Sequence, residues 1–503
     1  MLPVTLPFTG VLHFASLSEI QGTAGPPQTG KGFTMKSKES ISRRQLLQAG
    51  TLGALNLGVP GLVMGTDDQD VSGNAISSKK SCIFILLAGG PSHLDTWDLK
   101  PDAPSEFRGP YNPISTKVPG MQISELHPEL AKVTDQFCLI RSMHHPGPIS
   151  NHFDAMHNLL SGQYVERVNQ GVPDDSPYIG SVVAKHLPSA RNMVSNAWLM
   201  KCVGPPVFCA PNIGTGGYLG SSYAPVFVGS AENNPSMPEF KPPPIYDAVD
   251  QDRLSDRCDL LKGIESDVLE NQAIGKDWNS LREMAFDGMT RPEGRKAFEM
   301  DREPTAVRER YGMHPIGQNL LLARRMVESG VRFVTVNGWT GAATSEKKGP
   351  PSSSWDMHGG HMGMGNAFGS GSYGMGWCLP RLDQSLSALL TDLKDRGLMD
   401  DTLVVCMGEF GRSPKIQTKG PPGRIHWPKC FSAILAGGGI RGGAVYGESD
   451  KYGMDPIDNP VTPQDLHATV LHSLGVPLFD PTANTGLSRA QFSTGKPVLD
   501  LFG

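Results

Sequence analysis

The sequence predicts a three-layer α/β/α sandwich on a mostly parallel central sheet. Four short runs, at 81–88 (SCIFILLA), 331–336 (VRFVTV), 402–407 (TLVVCM) and 431–436 (FSAILA), are continuously apolar rather than alternating. That is the pattern of parallel strands covered on both faces. Segments with apolar residues at helical spacing are interleaved with these runs, as expected when helices cover a parallel sheet.

The first element in chain order is an address rather than a fold. Ser42-Arg43-Arg44-Gln45-Leu46-Leu47 precedes a Gly-rich, mildly apolar stretch to Gly65. Paired arginines before such a stretch mark a twin-arginine export signal. A membrane span fits poorly, because Gly50, Gly53, Asn56, Gly58, Pro60 and Gly61 interrupt the run. The same breakers disfavour an ordinary amphipathic helix. Met35 stands just before the basic Lys36 and Lys38, so the natural start is expected there, with 1–34 as an upstream extension. The signal then covers 35–66 and a polar linker covers 67–80. The expected destination is the periplasm or the cell exterior, with no stable membrane span once the signal is removed.

About 430 residues remain, enough for one large domain with an insertion. Net charge is −5 and no long basic run occurs, which argues against a nucleic-acid partner. Of eight cysteines, Cys82, Cys406 and Cys430 lie in or beside apolar runs and read as buried thiols. No C-x-x-C pair suggests a zinc–thiolate site, while Cys202 and Cys209 are candidates for a disulfide. A helix is predicted over 316–329, stopping at Gly330, and another over 382–396, stopping at Gly397. Between them and the first strand, 203–303 is rich in Gly and Pro, then charged. It reads as a loop-rich insertion over the core that adds no strand to the sheet, with Pro242–Pro244 as a stiff connector.

Chemistry collects directly after the strands. Run 81–88 leads into Gly89-Gly90-Pro91-Ser92-His93-Leu94-Asp95, and run 331–336 into a loop reaching Trp355-Asp356-Met357-His358-Gly359-Gly360-His361. Run 402–407 leads into Gly408-Glu409-Phe410-Gly411-Arg412, with His426-Trp427-Pro428 beyond. Carboxylates and imidazoles thus gather at the carboxyl ends of strands, where open α/β sheets bind ligands. These donors suit Zn²⁺, Mn²⁺ or similar ions. His144, His145, His152 and His157 add a dense group, four of the 14 histidines. Each candidate also has a plainer reading. Asp95 can cap a helix, Glu409 can pair with Arg412, His426 can stack on Trp427, and Trp339, Trp355 and Trp377 can be core residues rather than sugar platforms.

GGPSHLDTWDLKPDAP, WDMHGGH, GEFGR, HWP and VTPQDLHATVLHSLG, in this order over residues 80–503, resemble an exported bacterial family catalogued as domain of unknown function 1501. More distantly, 382–411, 431–439 and 460–475 resemble the second half of the alkaline phosphatase-like superfamily of phosphatases, sulfatases and cofactor-independent phosphoglycerate mutases. The resemblance implies one or two divalent ions (zinc, manganese or calcium). Asp95 would bridge, Asp356, His358 and His426 would form one site, and Glu409 would serve the second. Arg412 would hold a substrate oxyanion.

Departures accompany the likeness. Phe410 stands where the superfamily has a metal-binding His, and Ile425 where an Asp precedes the next His. Counting back from Gly162 puts His152, not a hydroxyl, at the nucleophile position, with Ser150 as the alternative nucleophile. Two functions therefore stand as expectations. One is an exported metal-dependent hydrolase of phosphate or sulfate esters, small or polysaccharide-borne, with anionic polysaccharides as a candidate substrate. The other is a binding or assembly protein that kept the fold and lost turnover.

Overall fold

The computed structural model describes residues 79–164, 176–189, 193–200, 214–243, 256–257, 259–260, 295–350, 353–479 and 491–503. The export signal, the proposed start and the Cys202–Cys209 pair fall outside these residues. An eight-stranded sheet organises the chain. Its strands are β1 (Ser81–Leu86), β2 (Phe137–Met143), β3 (Asn196–Leu199), β4 (Val226–Val228), β5 (Phe333–Asn337), β6 (Thr402–Met407), β7 (Phe431–Ala436) and β8 (Ala444–Tyr446). The spatial order is β8-β2-β7-β6-β1-β5-β3-β4. Every neighbouring pair is parallel except the two made by β7.

Period-two alternation along β1 builds the two interfaces of the sandwich. Ile83, Ile85 and Leu87 point to the face covered by α3 (Pro315–Glu328) and α4 (Met375–Asp395), packing in one core with Leu320, Leu386 and Leu390. Cys82, Phe84 and Leu86 point to the other face. There they pack with Leu159 of α1 (His152–Ser161), Val183 of α2 (Ile179–His186) and Val470 of α5 (Pro463–Leu474). Burying each such Leu, Val or Phe contributes about 1.5–3 kcal/mol, which is why both faces of the strand must be apolar.

Local signals set the helix ends. The α5 helix starts with a reciprocal capping box between Thr462 and Asp465, with Pro463 behind it, and ends at Gly475 in the left-handed conformation. The predicted 316–329 helix matches α3. The predicted 382–396 helix is longer than expected, because α4 begins at Met375 and carries Pro380 inside. Pro380 forfeits the bond its N–H would have made to Gly376, near the start of the helix.

Two sequence expectations are corrected. Run 431–436 is a buried strand but runs antiparallel to both neighbours. The link from β6 forms no face-covering helix and turns back along the same edge, so the chain re-enters in the opposite direction. The stretch 203–303 does supply a strand: Val226–Val228 pairs in parallel with β3 at the sheet edge. Its three residues lie between Pro225 and Gly229, too short to register as a run. Cys82, Cys406 and Cys430 are buried free thiols as expected, and burial pushes all three upward. Among the described residues, no helix is long and apolar enough to cross a membrane.

Candidate metal centre

The parallel strands deliver their carboxyl ends to one edge, and the loops beyond them interlock there. Two glycines after β1 make the close approach possible. Gly89 has φ 113° and Gly90 φ 72°. A Cβ on Gly89 would lie 2.3 Å from the Asp356 nitrogen, and one on Gly90 2.6 Å from the Phe410 carbonyl oxygen. Only glycine lets the chain after β1 lie directly against these two loops.

The loop after β6 carries Glu409, which is wholly buried. Its two carboxylate oxygens accept from the Gly89 N–H at 3.0 and 3.2 Å, and Oε1 also lies 2.5 Å from His152 Nδ1. His152 is the first residue of α1. The Asn151 side chain caps this helix by accepting from the Phe153 and Asp154 N–H groups at 3.0 Å. With Nδ1 donating to Glu409, the lone pair of a neutral His152 falls on Nε2. That atom is buried without a hydrogen-bond partner and lies 3.4 Å from Asp356 Oδ2.

His426 arrives from a short antiparallel ribbon, Gly411–Arg412 with His426–Trp427, in which it pairs with Arg412. Its Nδ1 donates to the Ser150 carbonyl at 2.9 Å, which places the lone pair on Nε2, again buried and unpartnered. The His426 ring is edge-on to those of His152 and His358, with centroids 4.4 and 4.5 Å away. Ligand atoms of His152, Asp356 and His426 lie within 4.8 Å of one another. Atoms held 2.0–2.1 Å from a tetrahedral ion are about 3.3 Å apart, so the 3.4 Å between His152 Nε2 and Asp356 Oδ2 fits a zinc-sized cation. The orphaned His426 Nε2, the His152 Nε2 that faces only Asp356, and the carboxylate itself are a matching donor set.

Electrostatics separates the two imidazoles. Burial disfavours charge on His152, but the Asp356 and Glu409 carboxylates outweigh it and raise the group to about 9. A proton and a divalent cation therefore compete for the same Nε2. His426 is lowered to about 3 by burial and by the positive Arg412 and His152 around it, so it is neutral. Burial also opposes ionisation of Asp356, yet Arg412, His152 and His358 hold it well below the usual carboxylate range.

The structure brings together His152, Asp356, His358, Glu409, Arg412 and His426; Asp356 and His426 keep their place in the candidate donor set, while Arg412 and Glu409 stand differently from the carried-over roles. Arg412 is fully buried and faces inward. Its Nε donates to the Gly90 carbonyl at 2.9 Å, Nη1 to the Arg424 carbonyl at 3.1 Å, and Nη2 to the Gly89 carbonyl and to Asp356 Oδ1. The remaining N–H faces His358 Nδ1 at 3.2 Å. Four of its five donors are bonded and the fifth points at the His358 ring, so the guanidinium is turned away from any substrate oxyanion. Glu409 orients His152 rather than standing open. His358 Nδ1 is bonded to Asp356 Oδ1.

Asp95 is not in the group. Its carboxylate is paired with Arg424 and bonded to Ser92. Ser150 is exposed and offers the cluster its carbonyl. The four clustered histidines separate too. His145 Nε2 bonds the Glu409 carbonyl at 2.6 Å and its ring stacks on Phe431, so only His152 joins the donor set. Trp355 is a buried core residue, its Nε1 donating to the Gly338 carbonyl at 2.8 Å.

Fold and site define an α/β protein with a histidine–carboxylate centre at the carboxyl edge of its sheet. Residues 79–501 match the family model described as "Protein of unknown function (DUF1501)", and the chain belongs to that family. No curated protein matches it. Solved structures similar to it include Ps i-CgsB, at 14% identity and TM-score 0.36, over 83% of this chain and 75% of that one. Phosphonate monoester hydrolase SpPMH from Silicibacter pomeroyi shares 11% identity at TM-score 0.33, over 84% and 76%. Alkaline phosphatase from the Antarctic bacterium TAB5 shares 11% identity at TM-score 0.35, over 79% and 99%.

Proposed function

We propose that this chain is an exported, metal-dependent hydrolase of phosphate or sulfate esters, with anionic polysaccharides as a candidate substrate class. One observation carries the reading: the buried Nε2 atoms of His152 and His426, the second without a partner and the first facing only Asp356 Oδ2, converge with the Asp356 carboxylate at the edge where α/β sheets bind ligands. Three protein ligands leave a coordination position open, as catalytic rather than structural zinc sites do.

A divalent ion held there would polarise an ester oxygen and lower the pKa of an attacking water. The chain's own residues prepare the place. Glu409 fixes the His152 ring and its tautomer, as outer-shell carboxylates do for metal-bound histidines. The Ser150 carbonyl does the same for His426. Arg412 keeps Asp356 ionised while binding the loops of Gly89 and Gly90 to it. Water is the attacking group in this reading, since the exposed Ser150 meets the cluster through its carbonyl.

The test is metal analysis of the purified full chain, together with turnover of aryl phosphate and aryl sulfate esters. Bound ion and turnover both lost in His152→Ala and His426→Ala support the hydrolase. A second reading, a binding or assembly protein without turnover, draws on Phe410 beside both imidazoles and on the inward-facing Arg412. Bound ion with no turnover on either ester class favours it.

A further inference from the structure

Resting on the reading that His152, Asp356 and His426 hold a divalent cation, we propose that the centre takes a single ion. In this proposal the Asp95–Arg424 pair is a closed internal brace, and Asp95 is no part of a second metal site.

Asp95 and Arg424 are both completely buried. Asp95 Oδ2 accepts from Arg424 Nε at 2.7 Å and from Ser92 Oγ at 2.5 Å, and Oδ1 accepts from Arg424 Nη2 at 3.3 Å. Gly109 seals the carboxylate, since a Cβ there would lie 2.0 Å from Oδ1. The rest of the guanidinium is equally committed. Nη1 donates to the Ser413 carbonyl at 3.0 Å and to that of Pro414, and Nη2 to the Phe107 carbonyl at 2.7 Å. All five N–H donors and both carboxylate oxygens are therefore satisfied. A cation could recruit Asp95 only by stripping a bidentate arginine from a desolvated pocket and leaving that charge unpaired, which is strongly unfavourable.

Glu409 is committed as well. Both Glu409 oxygens are bonded to the Gly89 N–H, and one also to His152. Beside His152, where another ion would need ligands, Phe410 packs with Ile149 and Ala155 in a small apolar cluster. Among the described residues, His152, Asp356 and His426 form the one group with metal-ligand spacing.

The brace still touches the centre through its backbone. The Arg424 N–H donates to the Met357 carbonyl at 2.8 Å, between Asp356 and His358, and the Arg424 carbonyl accepts from Arg412. Arg424 also stands two residues before His426. Asp95 and Arg424 are thus positioning residues for the loops that carry the ligands.

The experiment strips the full chain with chelator, reloads it with Zn²⁺ or Mn²⁺, and measures bound metal per chain after desalting. One equivalent in the wild type is expected, lost in His426→Ala and kept in Asp95→Asn with affinity within about threefold. Because Asp95→Asn leaves Arg424 unpaired and can misfold, the double variant Asp95→Leu with Arg424→Met removes both charges and must also keep its single equivalent. Two equivalents in the wild type would overturn the single-ion proposal and leave the metal reading standing. A second equivalent in the wild type that disappears from the folded double variant, with the first retained, would make Asp95 a ligand and likewise overturn it. No bound metal in the wild type would overturn both.

Discussion

Glu409 Oε1 lies 2.5 Å from His152 Nδ1, and the same carboxylate is held from behind by the Gly89 N–H. The orientation of one candidate ligand therefore depends on a residue that does not itself face the ion. Replacing Glu409 by Gln removes the charge that helps keep His152 protonated and its ring fixed. Measured above the His152 pKa, where no proton competes for Nε2, zinc affinity is expected to fall 10–100-fold, the range seen for outer-shell partners of metal-bound histidines. The His152 pKa should fall from its present position of about 9. Zinc titration and histidine NMR resonances followed against pH check the two effects separately. Unchanged affinity would remove Glu409 from the site.

Gly89 is the backbone counterpart of that contact. Its φ of 113° is costly for any side chain, and a Cβ would meet the backbone of both Trp355 and Asp356. Gly89→Ala is expected to cost at least about 1–3 kcal/mol in urea unfolding and to weaken zinc binding together with stability. A variant with wild-type stability and affinity would show that the loops do not need this close approach.

These two residues show what the sequence could and could not disclose. The apolar runs announced the core strands because both faces of β1 are covered, and the strand ends announced where the chemistry gathers. The direction of β7 was hidden, since an antiparallel strand buried on both faces has the same composition as a parallel one. The β2 strand was obscured by Arg141, whose side chain reaches out of the strand to the Trp97 and Gln122 carbonyls. Within the site, residue type suggested ligands but not their partners. Asp95 and Asp356 are both acids after a strand and both meet a buried guanidinium, yet Arg424 takes both Asp95 oxygens across 329 residues of sequence, whereas Asp356 keeps Oδ2 toward His152. No local pattern carries that distinction. The Gly89-Gly90 pair, like Gly359, Gly411 and Gly423, was a signal of close backbone approach.

Arg412 and Asp356 form a buried ion pair, with Nη2 2.7 Å from Oδ1. Arg412→Met would leave the carboxylate without its guanidinium, a loss of about 3–5 kcal/mol for a broken buried pair. A divalent cation would restore the missing positive charge, and a ligand that binds only the folded state stabilises it by mass action. Added zinc should therefore raise the melting temperature of Arg412→Met more than that of the wild type. Equal shifts would mean that Asp356 does not sense the ion.

His127 and His467 supply an acid-stability prediction away from the centre. Both are fully buried, neither ring nitrogen of either has a hydrogen-bond partner, and burial lowers both groups to about 3. In the unfolded chain each would titrate near about 6.5. As pH falls below that value the unfolded state takes up protons that the folded state refuses, so stability is full above about pH 6.5 and declines toward pH 3. Each histidine contributes about 1.4 kcal/mol of lost stability per pH unit through that window. His467→Leu removes one such proton and should flatten the urea-unfolding stability profile between pH 6 and 4 relative to wild type, with little change in slope above pH 7. A variant profile parallel to the wild type through the acid range would show that His467 is already protonated in the folded chain, against its sealed position on α5 beside Gly162.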